Sequence, residues 1–348
     1  MIERMKKWYP GLAKTALILV YLVILAGAVV RMTGSGMGCP DWPKCFGYYI
    51  PPTEETELLW TPGKTYMEGQ VIIREEALLV ARNDFTSTSD FSMANWEPYT
   101  RHDYAIFNAT HTWIEYINRL LGALAGLAML LLAISSLAWW KEKRSRTLFA
   151  WLGVLAIGFQ AWLGATVVYS VLEPAKITLH MFMALVIVGM LLWIIHSSDT
   201  KTRHFRYDRI TSRLWWAIVP LSMLQILLGT QVRQYIDHQS ELVGMQAREL
   251  WLQNPDIVFY VHRSFSILLL ILHVWAAYRV YSMRSGFEKI NASLMVLLGL
   301  IFSGIAMNYF AFPWGSQATH LFLASLLFGF QWYALMELKR ASKTGISS

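Results

Sequence analysis

Eight stretches of this chain are long and apolar enough to cross a bilayer, and this constrains its fold more than any other feature. A spanning helix needs about 20 mostly apolar residues. The runs at roughly 15–33, 109–138, 148–169, 176–196, 213–232, 257–279, 291–311 and 316–336 meet that requirement. Inside lipid each backbone N–H and C=O must be satisfied within its own segment, so such runs are expected to be helices. The composition agrees: 55% of the 348 residues are apolar and only 15% are charged, against about 25% in soluble domains. The expected class is an all-α polytopic membrane protein. A disordered chain, an ordinary soluble enzyme and a nucleic-acid module are excluded, and no nucleic-acid partner is expected. Two cysteines exclude a disulfide scaffold and a multi-cysteine zinc or iron–sulfur site.

Lys and Arg set the orientation. The first apolar run follows a basic segment, Met1 to Lys14, and no small-residue cleavage pattern comes after it, so it reads as a retained anchor. With the N-terminus cytoplasmic, 19 of the 30 Lys and Arg fall on that side, in clusters at every second junction. These include Lys141–Arg146, Lys201 to Arg213, and Lys339 to Lys343. Both termini are therefore expected in the cytoplasm of a cell whose plasma membrane the chain crosses eight times. One loop, 48–105, is long and polar and carries Pro51-Pro52, Pro62-Gly63 and Glu54-Glu55. It reads as a small extracytoplasmic subdomain in which VIIREEALLV (71–80) forms a short helix or strand.

The chain also repeats itself. Tyr116-Ile-Asn118-Arg119 corresponds to Tyr260-Val-His262-Arg263, and His180-x-Phe182-x-Ala184 to His320-x-Phe322-x-Ala324. Gly27-Ala-Val-Val-Arg31 corresponds to Gly229-Thr-Gln-Val-Arg233. The offset is 140 from His180 to His320 and from Gly164 to Gly304, and 144 from Asn118 to His262. For Gly27 to Gly229 it is 202, and the inserted loop accounts for the excess. Two tandem, pseudo-symmetric four-helix bundles are expected: residues 1–196 with the insert 48–105, a cytoplasmic linker 197–210, and residues 211–348.

Polar side chains within spanning helices are costly and are functional candidates by default. His262 and His320 lie at matched depth on paired helices, a common way to hold a haem by both axial positions. Arg263 and Arg233 lie near them, and Arg matches propionate carboxylates bidentately. Gly229, Gly304 and Gly329 allow a flat macrocycle or close helix packing. His273, three turns deeper than His262, reads as a core or snorkelling residue rather than a ligand. In the first unit His180 matches His320, but Asn118, a poor iron ligand, stands where His262 stands in the second. Glu115 and His111 share the face of Asn118. Glu115 reads either as a reactive carboxylate or as the ion-pair partner of Arg119, four residues on. Cys39 and Cys45, on the oxidising side, can close a small loop. It would serve as a static clamp or as a redox-active pair.

These segments together resemble the haem A synthases, the CtaA/Cox15 family of cytochrome oxidase assembly. The carriers are GAVVRMTGSGMGCPDWPKC (27–45), TWIEYINRLLGALAG (112–126), TLHMFMA (178–184), YVHRSFS (260–266) and ATHLFLA (318–324). The resemblance implies an oxidoreductase that converts the C8 methyl of haem O to the formyl group of haem A, by successive hydroxylations and loss of water. It implies a haem b cofactor between His262 and His320, with Arg263 and Arg233 beside it. It implies a haem O pocket in the first bundle, with His180 as an iron ligand and Asn118, Arg119 and Arg31 around it. Glu115 matches the family's helix 2 glutamate, and His111 is the other candidate for catalysis. Most members carry a histidine where Asn118 stands, so either His111 serves in its place or the substrate iron has one protein ligand. Cys39 and Cys45 match the family's disulfide pair. Implied partners are haem O synthase, cytochrome oxidase assembly factors and membrane lipid; the resemblance leaves a homo-oligomer open.

Two other classes compete. A bis-His di-haem electron-transfer protein of the cytochrome b type would use the same histidine frame, but has little use for Glu115 or for the His-to-Asn asymmetry. A transporter built on repeats would place its polar residues at mid-membrane, whereas these cluster at helix ends.

Overall fold

The computed structural model describes residues 2–199 and 205–344. Lys201 and Arg203, two of the charges assigned to the cytoplasmic side, lie outside the described residues. Eight helices carry the chain: α1 Ile2–Met32, α2 Ala109–Ser136, α3 Arg144–Tyr169, α4 Pro174–Ser198, α5 Arg209–Val243, α6 Ile257–Ser282, α7 Glu288–Tyr309 and α8 Ser316–Thr344. All eight contain a window long and apolar enough to cross a membrane. The helices outrun the apolar stretches. α1 starts at Ile2 because its basic, water-facing turns also form helix, and α5 continues through a polar segment to Val243. At 35 residues α5 spans about 52 Å at 1.5 Å per residue, well beyond a hydrocarbon core of about 30 Å. Side chains cap several starts: Asn108 accepts from His111 N–H, Asp208 from Thr211 N–H and Asp256 from Phe259 N–H.

In the first bundle α1 packs on α2 and α4, α2 on α3, and α3 on α4. In the second, α5 packs on α6 and α8, α6 on α7, and α7 on α8. α8 also packs against α1 and α4 and so joins the bundles. Small residues permit this. A Cβ on Gly329 would overlap the hydroxyl of Tyr21, and one on Gly189 would lie 3.5 Å from the Trp332 ring nitrogen. Trp332 Nε1 donates to Gly189 O at 3.2 Å.

The tightest packing lies in the half of each bundle away from the insert. The first core combines Ala13, Ala16 and Val20 with Met129, Leu132, Ala150 and Val188. The second combines Trp215, Ile218, Ala276, Ile290 and Leu338. It differs in holding a polar cluster. His273, fully buried, donates from Nδ1 to Leu269 O (2.8 Å) and accepts at Nε2 from Gln331 Nε2 (3.0 Å). Gln331 Nε2 also donates to Ser222 Oγ (2.8 Å). His273 is thus a satisfied core residue, as expected from its depth.

Residues 48–105 form a small β-rich unit at the far end of the first bundle. β1 (Thr65–Tyr66) pairs with β4 (Phe85–Thr86), while β2 (Val71–Arg74), β3 (Ala77–Ala81) and β5 (Trp96–Pro98) form an antiparallel sheet. VIIREEALLV is therefore a hairpin, turning on Glu75 and Glu76, both at positive φ. Tyr66, Ile72, Leu79 and Trp96 form one core of this unit. Phe46, Leu58, Val71 and Leu78 form another, which ties the unit to the segment just after Cys45.

Candidate functional site

The repeat becomes a repeated geometry at the insert end of both bundles. Each even-numbered helix presents a polar side chain in its first three turns, and each such side chain lies against a glycine of the preceding helix. A Cβ on Gly27 would lie 3.8 Å from Asn118 Oδ1, and one on Gly164 would lie 3.3 Å from His180 Cε1. On Gly229 it would lie 3.1 Å from His262 Cε1, and on Gly304 3.7 Å from His320 Cε1.

In the second bundle the His262 and His320 rings face each other with centroids 6.5 Å apart. Two imidazoles bound on opposite sides of one metal by bonds of about 2 Å would have ring centres about 6 Å apart. The observed spacing therefore fits axial ligation of a single iron. Ser303 Oγ donates to Leu300 O at 2.8 Å and lies 2.8 Å from His320 Nδ1. The hydroxyl's only hydrogen is thus used, so Nδ1 of His320 is the donor and Nε2 keeps its lone pair for a metal. Gln225 Nε2 donates to the carbonyl of His262 at 2.9 Å and holds that turn of α6.

The first bundle repeats the second of these supports. Gln160 Nε2 donates to His180 O at 3.0 Å, four residues before the glycine that faces His180. At the position equivalent to His262 stands Asn118 rather than an imidazole. His180 Nδ1, His262 Nδ1, Asn118 Oδ1, Gln160 Oε1 and Gln225 Oε1 are buried without a partner among the described residues. Buried polar atoms are normally paired. Their concentration around the two histidine sites, where glycines leave room, is what a pocket for a flat, iron-bearing ligand requires.

Glu115 is 4% exposed. Its Oε2 accepts from Cys39 N–H at 2.9 Å and its Oε1 from Arg119 Nη2 at 2.5 Å. The ion pair weighed as one reading of Glu115 is present. Arg119 also donates to the carbonyls of Asp41 (2.6 Å), Lys44 (2.9 Å) and Cys39 (3.0 Å), so its guanidinium closes the 39–45 loop instead of reaching into a pocket. Cys39 and Cys45 form a disulfide with Cα atoms 4.8 Å apart. Asp41 accepts from Gly47 N–H at 2.8 Å and from Phe46 N–H at 2.5 Å. Burial nevertheless raises its carboxyl above the usual carboxylate range. Thr112 Oγ1 donates to Gly38 O at 2.7 Å, and a Cβ on Gly38 would overlap the His111 carbonyl. The disulfide loop is thus seated directly on the first turns of α2.

Arg31 and Arg233, equivalent by the repeat, meet between the bundles on one carboxylate, Asp237. Arg31 Nη2 reaches Asp237 Oδ2 at 2.6 Å, and Arg233 Nη2 reaches Oδ1 at 2.7 Å. The sequence alone does not single out Asp237, because it lies beyond the apolar run that ends near residue 232. Its position four residues after Arg233 was the available signal. Arg263 sits on an exposed face of α6, about 100° round the helix from His262, with no side-chain partner among the described residues. A cavity of about 430 Å³ opens beside this cluster, lined in part by Thr33, His111, Arg248, Trp314 and Gln317.

Residues 11–72 and 93–332 match COX15-CtaA, the cytochrome oxidase assembly protein family. The chain belongs to this family. The internal segment left unmatched, 73–92, falls within the β-rich insert of this COX15-CtaA member. Its relatives include the heme A synthase of Shouchella clausii, 24% identical over 341 residues that cover 92% of this chain and 94% of the relative. The heme A synthase of Alkalihalophilus pseudofirmus is 22% identical over 337 residues, covering 93% and 95%. That of Ruegeria pomeroyi is 26% identical over 345 residues, covering 88% and 82%. The matched segments include all four glycine-faced positions and the disulfide loop. The features that set this COX15-CtaA member's two halves apart, Asn118 against His262 and Glu115 against Phe259, therefore lie inside the region shared with the family.

Proposed function

We propose that this chain is a haem A synthase, an oxidoreductase that takes haem O into the α1–α4 bundle and converts its C8 methyl to the formyl group of haem A. The conversion consists of two hydroxylations, each replacing a C–H by a C–OH with oxygen from water and releasing two protons and two electrons to an external acceptor, followed by loss of water from the resulting diol. The observation that carries this reading is the asymmetry of two otherwise equivalent pockets. His262 and His320 are spaced to hold one iron between them, whereas in the first bundle His180 has its counterpart position, that of His262, filled by Asn118. The first describes a permanently bound cofactor, haem b, and the second a ligand held on one side and able to leave.

Haem b supplies one-electron redox chemistry at the second pocket. The chain's own residues do the rest. His262 and His320 hold the iron, with Ser303 fixing the proton of His320 and Gln225 fixing the backbone of His262. His180 is the substrate-side ligand, with Gln160 holding its turn and Gly164 leaving space for its ring. Glu115 provides the only carboxylate on the His111–Asn118 face of α2, suited to take a proton or to stabilise positive charge as the methyl is oxidised. Arg31 and Arg233 are the cations at the pocket rims available to haem propionates; Arg119 supports Glu115 and the loop. Helices open to lipid suit a substrate with a farnesyl tail. The chain lies in the plasma membrane with both termini cytoplasmic, and it receives haem O from haem O synthase and delivers haem A to cytochrome oxidase assembly factors.

The test is to express the chain in cells that lack their own haem A synthase and to extract the haems. Haem A in the cells, with haem B and haem O or A in the purified protein, supports the proposal. Haem B alone in the protein and no haem A in the cells would establish the electron-transfer reading instead.

A further inference from the structure

We propose that Asp237 is a positioning residue that couples the two pockets: it holds Arg31 and Arg233, the equivalent arginines of the two bundles, at their shared rim. The proposal rests on the haem-binding reading above.

Arg31 lies four residues after Gly27, which faces Asn118, and Arg233 lies four residues after Gly229, which faces His262. Each is thus one turn beyond its own pocket. Asp237 Oδ2 accepts from Arg31 Nε (3.2 Å) and Nη2 (2.6 Å), and Oδ1 pairs with Arg233 Nη2 (2.7 Å). Arg233 Nη2 also donates to Arg31 O at 3.1 Å, placing one cation at the C-terminal end of the other's helix. All three side chains are partly buried, with relative exposures of 18%, 21% and 32% for Arg31, Arg233 and Asp237. Two guanidinium groups this close repel each other, and the single carboxylate between them makes the arrangement tolerable.

The same stretch of α5 touches both sites. Arg233 Nη1 donates to Gln317 Oε1, three residues before His320. Gln234 Nε2 donates to Thr178 Oγ1 at 3.3 Å, two residues before His180. One polar turn of α5, beyond the apolar run, therefore braces α1, α4 and α8 where each enters a pocket. A change in charge or occupancy at one pocket acts on one arginine, and through Asp237 on the other. With Asp237 neutralised, two uncompensated cations remain at the rim shared by the two pockets and would favour the reduced form of haem b, which carries one positive charge fewer.

The test is an optical redox titration of haem b in the purified full-length holoprotein. Asp237→Asn is expected to raise the midpoint potential, and Asp237→Glu to return it toward the wild-type value. Arg31→Gln, although in the other bundle, is expected to lower the haem b midpoint. Its effect should differ in size when made on the Asp237→Asn background. An unchanged midpoint in Asp237→Asn, with only haem content or thermal stability reduced, would show a merely structural contact and overturn the proposal. Additive effects of Arg31→Gln and Asp237→Asn would do the same. If Asp237→Asn retains no haem, the Arg31→Gln midpoint decides: no shift overturns the coupling. Wild-type protein that binds no haem at all would instead defeat the reading on which the proposal rests.

Discussion

Gly229 and His262 are in contact across α5 and α6, so close that a Cβ on the glycine would lie 3.1 Å from the imidazole Cε1. The same relation holds at three other places in the chain, and at Gly164 and Gly304 it again involves a histidine. At Gly229 and Gly164 the imidazole stands so close that an added side chain would crowd it, whereas at Gly304 and Gly27 a Cβ would make ordinary van der Waals contact.

Gly229→Val should therefore displace the His262 ring and strip haem b from the second bundle. Overpacking of this kind costs about 1–3 kcal/mol. The helix itself loses nothing, since valine is a somewhat better helix former than glycine, by a few tenths of a kcal/mol, so unfolding of α5 is not the expected route. Gly126→Ala, where a Cβ meets nothing within 4 Å, is the control. Pyridine haemochrome per mole of purified protein should fall to a minor fraction of wild type in the first and stay unchanged in the second.

Val171→Gly should stabilise the protein. α3 ends with Leu172 N–H bonded to Val167 O (2.9 Å) and Val171 N–H to Val168 O (3.0 Å), which puts Val171 in the left-handed position at φ 52°. That conformation costs an L-residue about 1–2 kcal/mol, and Val171 is 48% exposed, so little packing is lost with its side chain. α7 ends alike, with Ala311 at φ 50°. A rise in the thermal midpoint of the detergent-solubilised protein, equivalent to about 1 kcal/mol, is the expected outcome; a fall would mean that the valine packs better than its exposure indicates.

The eight helices were legible because hydropathy reports what lies in lipid. It reports nothing about helix that continues into water, which is why α1 was read too short at its start and α5 too short at its end. Asp237 lies in that second blind segment. The nearly constant repeat offset made the equivalence of the four glycine-faced positions legible, since equivalent residues in equivalent bundles occupy equivalent depths. The use of Arg119 was not legible. Whether a guanidinium turns to a ligand or to three loop carbonyls depends on how the 39–45 loop closes over α2, a contact some 75–80 residues away in sequence. The hairpin at 71–81 was ambiguous because its turn, Glu75-Glu76, lacks the Asn-Gly or Asp-Gly chemistry that signals positive φ.

Asp208 should give the fold an acid-sensitive contribution on the terminal side. Burial alone would raise its carboxyl, but bonds from Thr211 and Arg279 outweigh that and hold it below its ordinary value of 3.8. A carboxyl lowered in the folded state stabilises fully above its unfolded value, and the stabilisation is lost as pH falls through the folded one. Thermal midpoints should therefore drop as pH falls below about 4. Asp208→Asn keeps a good cap but loses the ion pair with Arg279, so its midpoint at neutral pH should be lower, by up to about 1 kcal/mol, and its further fall with acid should be smaller. An identical acid dependence in both proteins would remove Asp208 from this role.

Glu115 supports the disulfide loop through Cys39 N–H and Arg119, and its proposed part in the oxidation has to be separated from that support. Glu115→Gln keeps an acceptor for Cys39 N–H but removes the charge facing Arg119. Breaking a buried ion pair costs about 3–5 kcal/mol; three carbonyl bonds still hold Arg119, so the lower part of that range is expected, seen as a lower thermal midpoint. Haem b should stay, because His262 and His320 belong to the other bundle. In cells haem A should fall while haem O, or a partly oxidised hydroxylated form, accumulates. Arg119→Gln makes the distinction, since it loosens the same loop and leaves the carboxylate in place. If Glu115 only braces the loop, the two variants should lose haem A equally; if it handles protons or positive charge at the methyl, Arg119→Gln should retain more. His111→Ala belongs in the same series, because Asn118 is a poor replacement for a ligand. Loss of haem A there with haem b retained would assign His111 to the substrate, and normal haem A from well-folded Glu115→Gln protein would end the case for the carboxylate.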